Sequence, residues 1–362
     1  MKKLISIMLT AALLTSCSSS ELPKADISAV RDELNGYSFS SHDNLKFDCK
    51  VQNADIGSVY RLRLHDHSLD KAGDSEKQNA FALWRTLVPD KQIQPKYSQD
   101  TENCWFARAE KPYSYGAFYC GGSFGASSWA WDTDADINET TVYKRFRGCD
   151  DLSGESYRVG GEDYKITDAV KFCDDYIDKN LKQYFNSDEQ LRLINVFVIS
   201  NTMFDKYTYA LRYAHLIGGV AIDDHDSSDL EREYTRGSCL EIIMAGKDRI
   251  YSIENRCYQG SFDDKEELSE IVSLSEAEKA LAKALAPNRK YTVTECELKY
   301  VCRTTAKADE RYYEPMWSFI LEQYPGRSLD FKIDLTAYVN AVTGKIFLFD
   351  MQTGELSELS TA

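Results

Sequence analysis

Between Leu274 and Phe349 the hydrophobic period of the chain switches once from helical to alternating, and that switch limits the fold more than any other feature. Leu274-Ser275-Glu276-Ala277-Glu278 opens a helix, with Ser275 predicted as N-cap and Glu278, three residues on, as its capping-box partner. Alanine and leucine carry the helix to Ala286, and Pro287 and Asn288 stop it. Over residues 291–303 the period falls to two. Cys296, Leu298, Tyr300 and Cys302 then share one face, with Glu295, Glu297 and Lys299 on the other, as in a half-buried strand. Residues 314–320 predict a further strand with Trp317 in the core, and residues 335–339 and 345–349 a hairpin around Val342-Thr343-Gly344. One helix across an antiparallel sheet, an α+β arrangement, is the expected architecture.

The run Ala337-Tyr338-Val339-Asn340-Ala341-Val342-Thr343-Gly344-Lys345-Ile346, after a helix and a Pro-Met-Trp strand, is similar to PepSY-type domains, whose last hairpin typically reads YVDAxTGEI. Asn340 stands where that family usually has an acidic residue. A second copy resembling the duplicated PepSY-like domains of exported proteins precedes it. There a helix from Thr167 to Phe185 leads into strands at 193–199 and 207–216, Gly218-Gly219-Val220-Ala221-Ile222, an acidic loop at 223–229, a strand near Leu240 and a turn at Gly246. The resemblance implies tandem PepSY/cystatin-like modules at 160–270 and 271–350, each a helix packed on an antiparallel sheet, followed by a tail at 351–362. In the propeptides of thermolysin-like proteases such domains act as inhibitors or folding assistants. The implied activity is therefore non-catalytic peptide or protein binding, or protease modulation, with strand addition to a sheet edge as its physical mode.

At the other end, Lys2 and Lys3 precede an apolar stretch at 4–14, too short as a helix to cross ~30 Å of hydrocarbon. Leu14-Thr15-Ser16-Cys17 looks like the lipobox of bacterial lipoproteins. This implies a signal peptide over 1–16, a diacylglycerol thioether on Cys17, a lipidated tether over 17–23, and a mature protein anchored to a membrane outside the cytoplasm. As a whole the chain resembles uncharacterised lipoproteins of anaerobic bacteria.

Residues 24–150 match no pattern beyond a helical stretch at 76–87 among aromatic strands, and predict a separate β-rich module. The formal charge of −15 becomes −17 once Lys2 and Lys3 are removed, and there is no basic patch interleaved with aromatics, so nucleic acid is excluded as a partner. No cofactor is called for, since HExxH and P-loop motifs are lacking.

Of the ten cysteines, nine remain after Cys17. Cys104 and Cys120 flank a hairpin turn near Pro112 and are the best disulfide pair; Cys239 and Cys257 similarly flank the turn at 245–248. Cys296 and Cys302, about 20 Å apart along one strand, cannot join each other and read as core thiols. Two further ligand sites are conceivable. Tyr115, Trp129 and Trp131 lie in a segment rich in glycine and aromatic residues that could present stacking faces to a glycan or small solute, or else bury alternate rings in a hairpin. His65 and His67 could bind a metal with the 223–226 Asp-Asp-His-Asp cluster, as in a metal-dependent hydrolase, although solvated loops are the plainer reading.

Overall fold

The computed structural model describes residues 22–52, 55–66, 73–88, 94–101, 104–109, 116–120, 123–127, 141–148, 150–201, 206–223, 239–256, 260–304, 311–323, 333–350 and 355–359. The protein is sheet-rich, with four α-helices and mixed strand pairing among these residues. The chain begins with β1 (Lys24–Asp26), α1 (Ile27–Leu34), β2 (Leu45–Phe47) and β3 (Val59–Asp66). A helix and four strands follow: α2 (Asp74–Leu87), β4 (Lys96–Thr101), β5 (Cys104–Arg108), β6 (Gly116–Cys120) and β7 (Ser123–Ser127).

After β8 (Thr141–Arg147) and the hairpin of β9 (Ser156–Val159) and β10 (Glu162–Lys165), the same order of elements recurs. Here α3 (Ile166–Tyr176), extended by a π turn and a 3-10 turn to Tyr184, precedes β11 (Glu189–Asn201), β12 (Lys206–Ile217), the short β13 (Val220–Asp223), β14 (Cys239–Gly246) and β15 (Arg249–Arg256). Next come β16 (Gly260–Leu268) and β17 (Glu270–Val272). A third helix-and-meander then forms from α4 (Leu274–Ala284), β18 (Tyr291–Thr304), β19 (Arg311–Gln323), β20 (Ile333–Asn340) and β21 (Ile346–Asp350). Residues 355–359, read from the sequence as tail, add β22 (Glu355–Leu359) beside β21.

The first two meanders join edge to edge through β7 and β15. They form one antiparallel sheet of nine strands in the order β4, β5, β6, β7, β15, β14, β12, β11, β8. Alternation along each strand puts Ala107, Ala117, Ala126, Ile253, Ile242, Leu211 and Val196 on one face, where Leu83 and Trp84 of α2 and Ala169 and Cys173 of α3 bury them in a common core. The second core lies under α4, between it and Cys296, Leu298, Tyr300, Trp317, Phe319, Ala337 and Val339. Residues from 24–66 belong to this second core, whereas residues from 74–127 belong to the first, so the stretch 24–150 divides between the two.

β13 links the sheets, pairing antiparallel with β12 and parallel with β18. The Gly218-Gly219 turn feeding it has φ of +60° and +81°, and a Cβ on Gly218 would lie 2.0 Å from the Ser58 carbonyl oxygen. Both backbone shape and close approach therefore require glycine there.

The N-cap of α4 is Ser273, whose hydroxyl accepts from the Glu276 N–H; Ser275 lies inside the helix. Ser273 with Glu276 and Ser275 with Glu278 both fit the capping pattern. Burial of Leu274, Ala277 and Leu281 favours the earlier start, because it turns these three residues toward the core together.

Candidate functional site

Within the described part of the aromatic and glycine segment, Ala117, Phe124 and Ala126 belong to the first core and Tyr119 packs against it. Phe124 is fully buried, with ring centroids 5.2 Å from Tyr184 and 5.9 Å from Phe185. Phe118 lies across Gly125, where a Cβ would come within 2.5 Å of its ring. Tyr115, Trp129 and Trp131 lie outside the described residues, as do Cys17, Cys257, His67, His225, Asp224 and Asp226. Cys104 stands directly opposite Cys120 in the β5–β6 ladder, and Cys239 stands opposite Arg256. His65 is exposed on β3 opposite Ser261. Asp223 is buried at the junction of the sheets, where it accepts from the Tyr338 hydroxyl at 3.2 Å and lies 3.7 Å from Lys299 Nζ. No group of three or more His, Cys, Asp and Glu arranged to hold a metal occurs among the described residues.

Two polar clusters tie the structure together. The segment from α1 to β2 forms a strap along α4. Glu33 accepts from the N–H groups of Leu274 and Ser275 at the helix start, and Asn44 donates to the carbonyls of Ala282 and Leu285 at its end. Between these caps the Glu278 carboxylate, fully buried, accepts from the Tyr37 hydroxyl at 2.6 Å and the Ser40 N–H at 2.8 Å, and meets His42 Nε2 at 2.7 Å. With three protein partners and no exposure, this carboxylate is a latch and not a reactive group.

The second cluster is a charged seam. Glu295, Glu297 and Lys299, the polar face of β18, meet Arg145 and Arg147 of β8, Arg192 of β11 and Asp223 of β13. Arg192 also donates to the Gln52 carbonyl, and Arg147 to that of Thr294. Burial acts to lower the pKa of Lys299, and the carboxylates of Asp223 and Glu297 outweigh it, so the ammonium is held above the ordinary lysine value.

The open chemistry lies at the β8 edge of the nine-stranded sheet. Five consecutive residues of β8, 141–145, are exposed. Its register with β11 jumps from Val198 opposite Lys144 to Ile199 opposite Val142, which makes Tyr143 the extra residue of a β-bulge. A bulge on an edge strand re-aims its side chain. The Tyr143 ring, 59% exposed, lies 5.0 Å from that of Tyr207 and 6.1 Å from that of Tyr157.

Behind this surface the tyrosines are locked in place. The Tyr157 N–H donates to the Tyr209 hydroxyl, which donates to the Tyr164 carbonyl; the Tyr164 hydroxyl donates to Asp248 in the β14–β15 turn. Burial raises the pKa of both Tyr164 and Tyr209, so their phenols stay neutral donors. At the rim, Lys144 Nζ lies 2.8 Å from Glu155, which also accepts from the Tyr157 hydroxyl. These two hydrogen bonds hold Glu155 below the ordinary carboxylate value, and the bond to Glu155 holds Lys144 above the lysine value. Sequence reasoning passed over this site, because Tyr143, Tyr157 and Tyr207 are 14 and 50 residues apart. The arrangement is rigid, aromatic and amphipathic, and suits recognition of a ligand surface.

Fold and site define a sheet-rich protein with helices over extended antiparallel sheets and an aromatic sheet edge. No protein-family model matches the chain, and no curated protein matches it. Among solved structures it is similar to an uncharacterised protein from Eubacterium rectale, with 13% identity and a TM-score of 0.54 over 93% of this chain and 99% of that one; the likeness is one of fold. A match to the C-terminal domain of Bacillus megaterium YpeB covers 80% of this chain and 99% of that one, with 12% identity and a TM-score of 0.34.

Proposed function

We propose that the protein is a lipid-anchored lipoprotein outside the cytoplasm, built from PepSY-like modules, that binds a peptide or protein partner without turning it over. The observation that carries the binding role is the contact of Tyr143, exposed on edge strand β8, with Tyr157 of β9 and Tyr207 of β12, backed by a hydrogen-bonded chain of buried tyrosines. Anchoring rests on Leu14-Thr15-Ser16-Cys17 after an apolar run, and the PepSY likeness on the hairpin motif at 337–346. The repeated course of a helix followed by antiparallel strands is in keeping with tandem modules of that kind. No helix among the described residues is long and apolar enough to cross a membrane.

Intact mass and detergent partitioning of the native protein beside Cys17→Ala, with crosslinking on intact cells before purification, test both halves of the proposal. Acyl mass on the native protein alone, together with a specifically enriched protein or peptide, is the expected result. Two water-soluble, unmodified proteins would remove the anchor, and failure to enrich any partner would remove the binding role.

A further inference from the structure

We infer that β8 receives an extended acidic peptide segment, which joins the nine-stranded sheet as a further strand and rests an aromatic side chain on Tyr143, Tyr157 and Tyr207. The inference rests on the binding role proposed above and gives that role a site and a ligand class. The first ground is the backbone. Among the described residues β11 is the ladder partner of β8, and the register runs from Thr141 to Arg147. The opposite rim of an edge strand offers its remaining N–H and C=O groups to a further chain. Asp150 closes that rim at one end by accepting from the Arg147 N–H at 2.7 Å.

Charge selects the occupant. β8 reads Thr-Val-Tyr-Lys-Arg-Phe-Arg, so antiparallel pairing with a second copy of itself crowds the Lys144, Arg145 and Arg147 cations of both copies along one ladder. Like charges across a ladder are destabilising. A strand bearing glutamate or aspartate instead pairs favourably with Lys144 and Arg145, whose side chains remain 43% and 48% exposed beside their internal partners. The formal charge of the whole chain is −15, so an acidic segment is repelled by most of the surface and attracted to this run. The bulge adds selectivity: it turns Tyr143 out of the ladder alternation and onto Tyr207, leaving ring faces for an aromatic residue of the incoming strand.

The test is amide hydrogen exchange on the full acylated protein in detergent, with a short synthetic peptide alternating glutamate and tyrosine or its lysine-tyrosine counterpart. The glutamate peptide is expected to slow exchange of the exposed β8 amides, and the lysine peptide to leave them unchanged. Lys144→Glu should abolish the effect of the glutamate peptide, and Tyr143→Ala should weaken its binding about tenfold. In each variant β11 and β12 should keep their protection, which identifies a folded protein. Equal protection by both peptides, absence of protection at β8, or indifference to both substitutions would overturn the inference. Crosslinking on cells separates this outcome from failure of the binding role. A partner captured equally by native protein and Tyr143→Ala leaves the role standing and removes this site, whereas no captured partner removes the role itself.

Discussion

Nε2 of His42 lies 2.7 Å from Oε1 of Glu278, a carboxylate wholly buried on the inner side of α4, and this contact anchors the strap that spans the helix from Glu33 to Asn44. Glu278→Ala leaves the Tyr37 hydroxyl, the Ser40 N–H and His42 without their acceptor, and is expected to lower the unfolding free energy by about 3 kcal/mol. Glu278→Gln should cost less, because the amide oxygen still accepts on the Ser40 and His42 side and the Tyr37 hydroxyl can turn to accept from the NH2. Urea denaturation measures both. Stability unchanged in Glu278→Ala would mean that the strap does not hold the helix.

Asn340 explains why this chain departs from the acidic residue usual in the motif it resembles. Its side-chain oxygen accepts from the N–H groups of Val342 and Thr343, each at 2.9 Å, and its amide donates to Glu314 at 2.8 Å. Aspartate could keep the first two bonds but would set a carboxylate against Glu314. Asn340→Asp is therefore expected to cost roughly 2 kcal/mol at neutral pH and less as the pH falls and the pair takes up a proton. Thermal melts at neutral and mildly acidic pH check this, and a deficit that grows on acidification would contradict it.

Lys299 predicts an alkaline signature. Its pKa is held above the ordinary value in the folded protein, so its contribution is fully present below the unfolded-state value of about 10.4 and is lost as pH rises through the higher folded value. Melting temperatures of native protein and Lys299→Met should differ by a constant amount at neutral pH and converge at alkaline pH. A gap that widens on that side would show the seam to be wrongly described.

A Cβ on Gly125 would lie 2.5 Å from the Phe118 ring and 3.3 Å from the Ile253 carbonyl oxygen. Gly125→Ala is expected to destabilise by about 1–3 kcal/mol through this overlap. Combination with Phe118→Leu should recover part of the loss, because the nearer obstacle is then smaller. Purely additive effects in a double-mutant cycle would deny the contact.

Local patterns were legible in the sequence and long-range partners were not. Alternation at 291–303 correctly put Cys296, Leu298 and Tyr300 in the core, whereas Cys302, expected there with them, is only half-buried at the core's margin; Trp317 lies in the core too, its indole N–H donating to the Val272 carbonyl. The opposite face of the same strand read as solvated. It instead forms the seam, because the charges that meet Glu295 and Glu297 come from Arg145, Arg147 and Arg192, 105–150 residues earlier in the chain. Glu278 read as a capping residue for a similar reason: the strap that buries it begins some 240 residues upstream. The Tyr143 surface depends on a one-residue bulge, and hydrophobic period carries no signal for such an insertion.

The most direct test of a binding role at this sheet edge is site-specific photocrosslinking from position 143 on intact cells, with position 266 on the exposed outer side of β16 as control. A discrete crosslinked partner from position 143 and none from position 266 is the expected result. Crosslinks that are absent from position 143, or the same from both positions, would contradict the account.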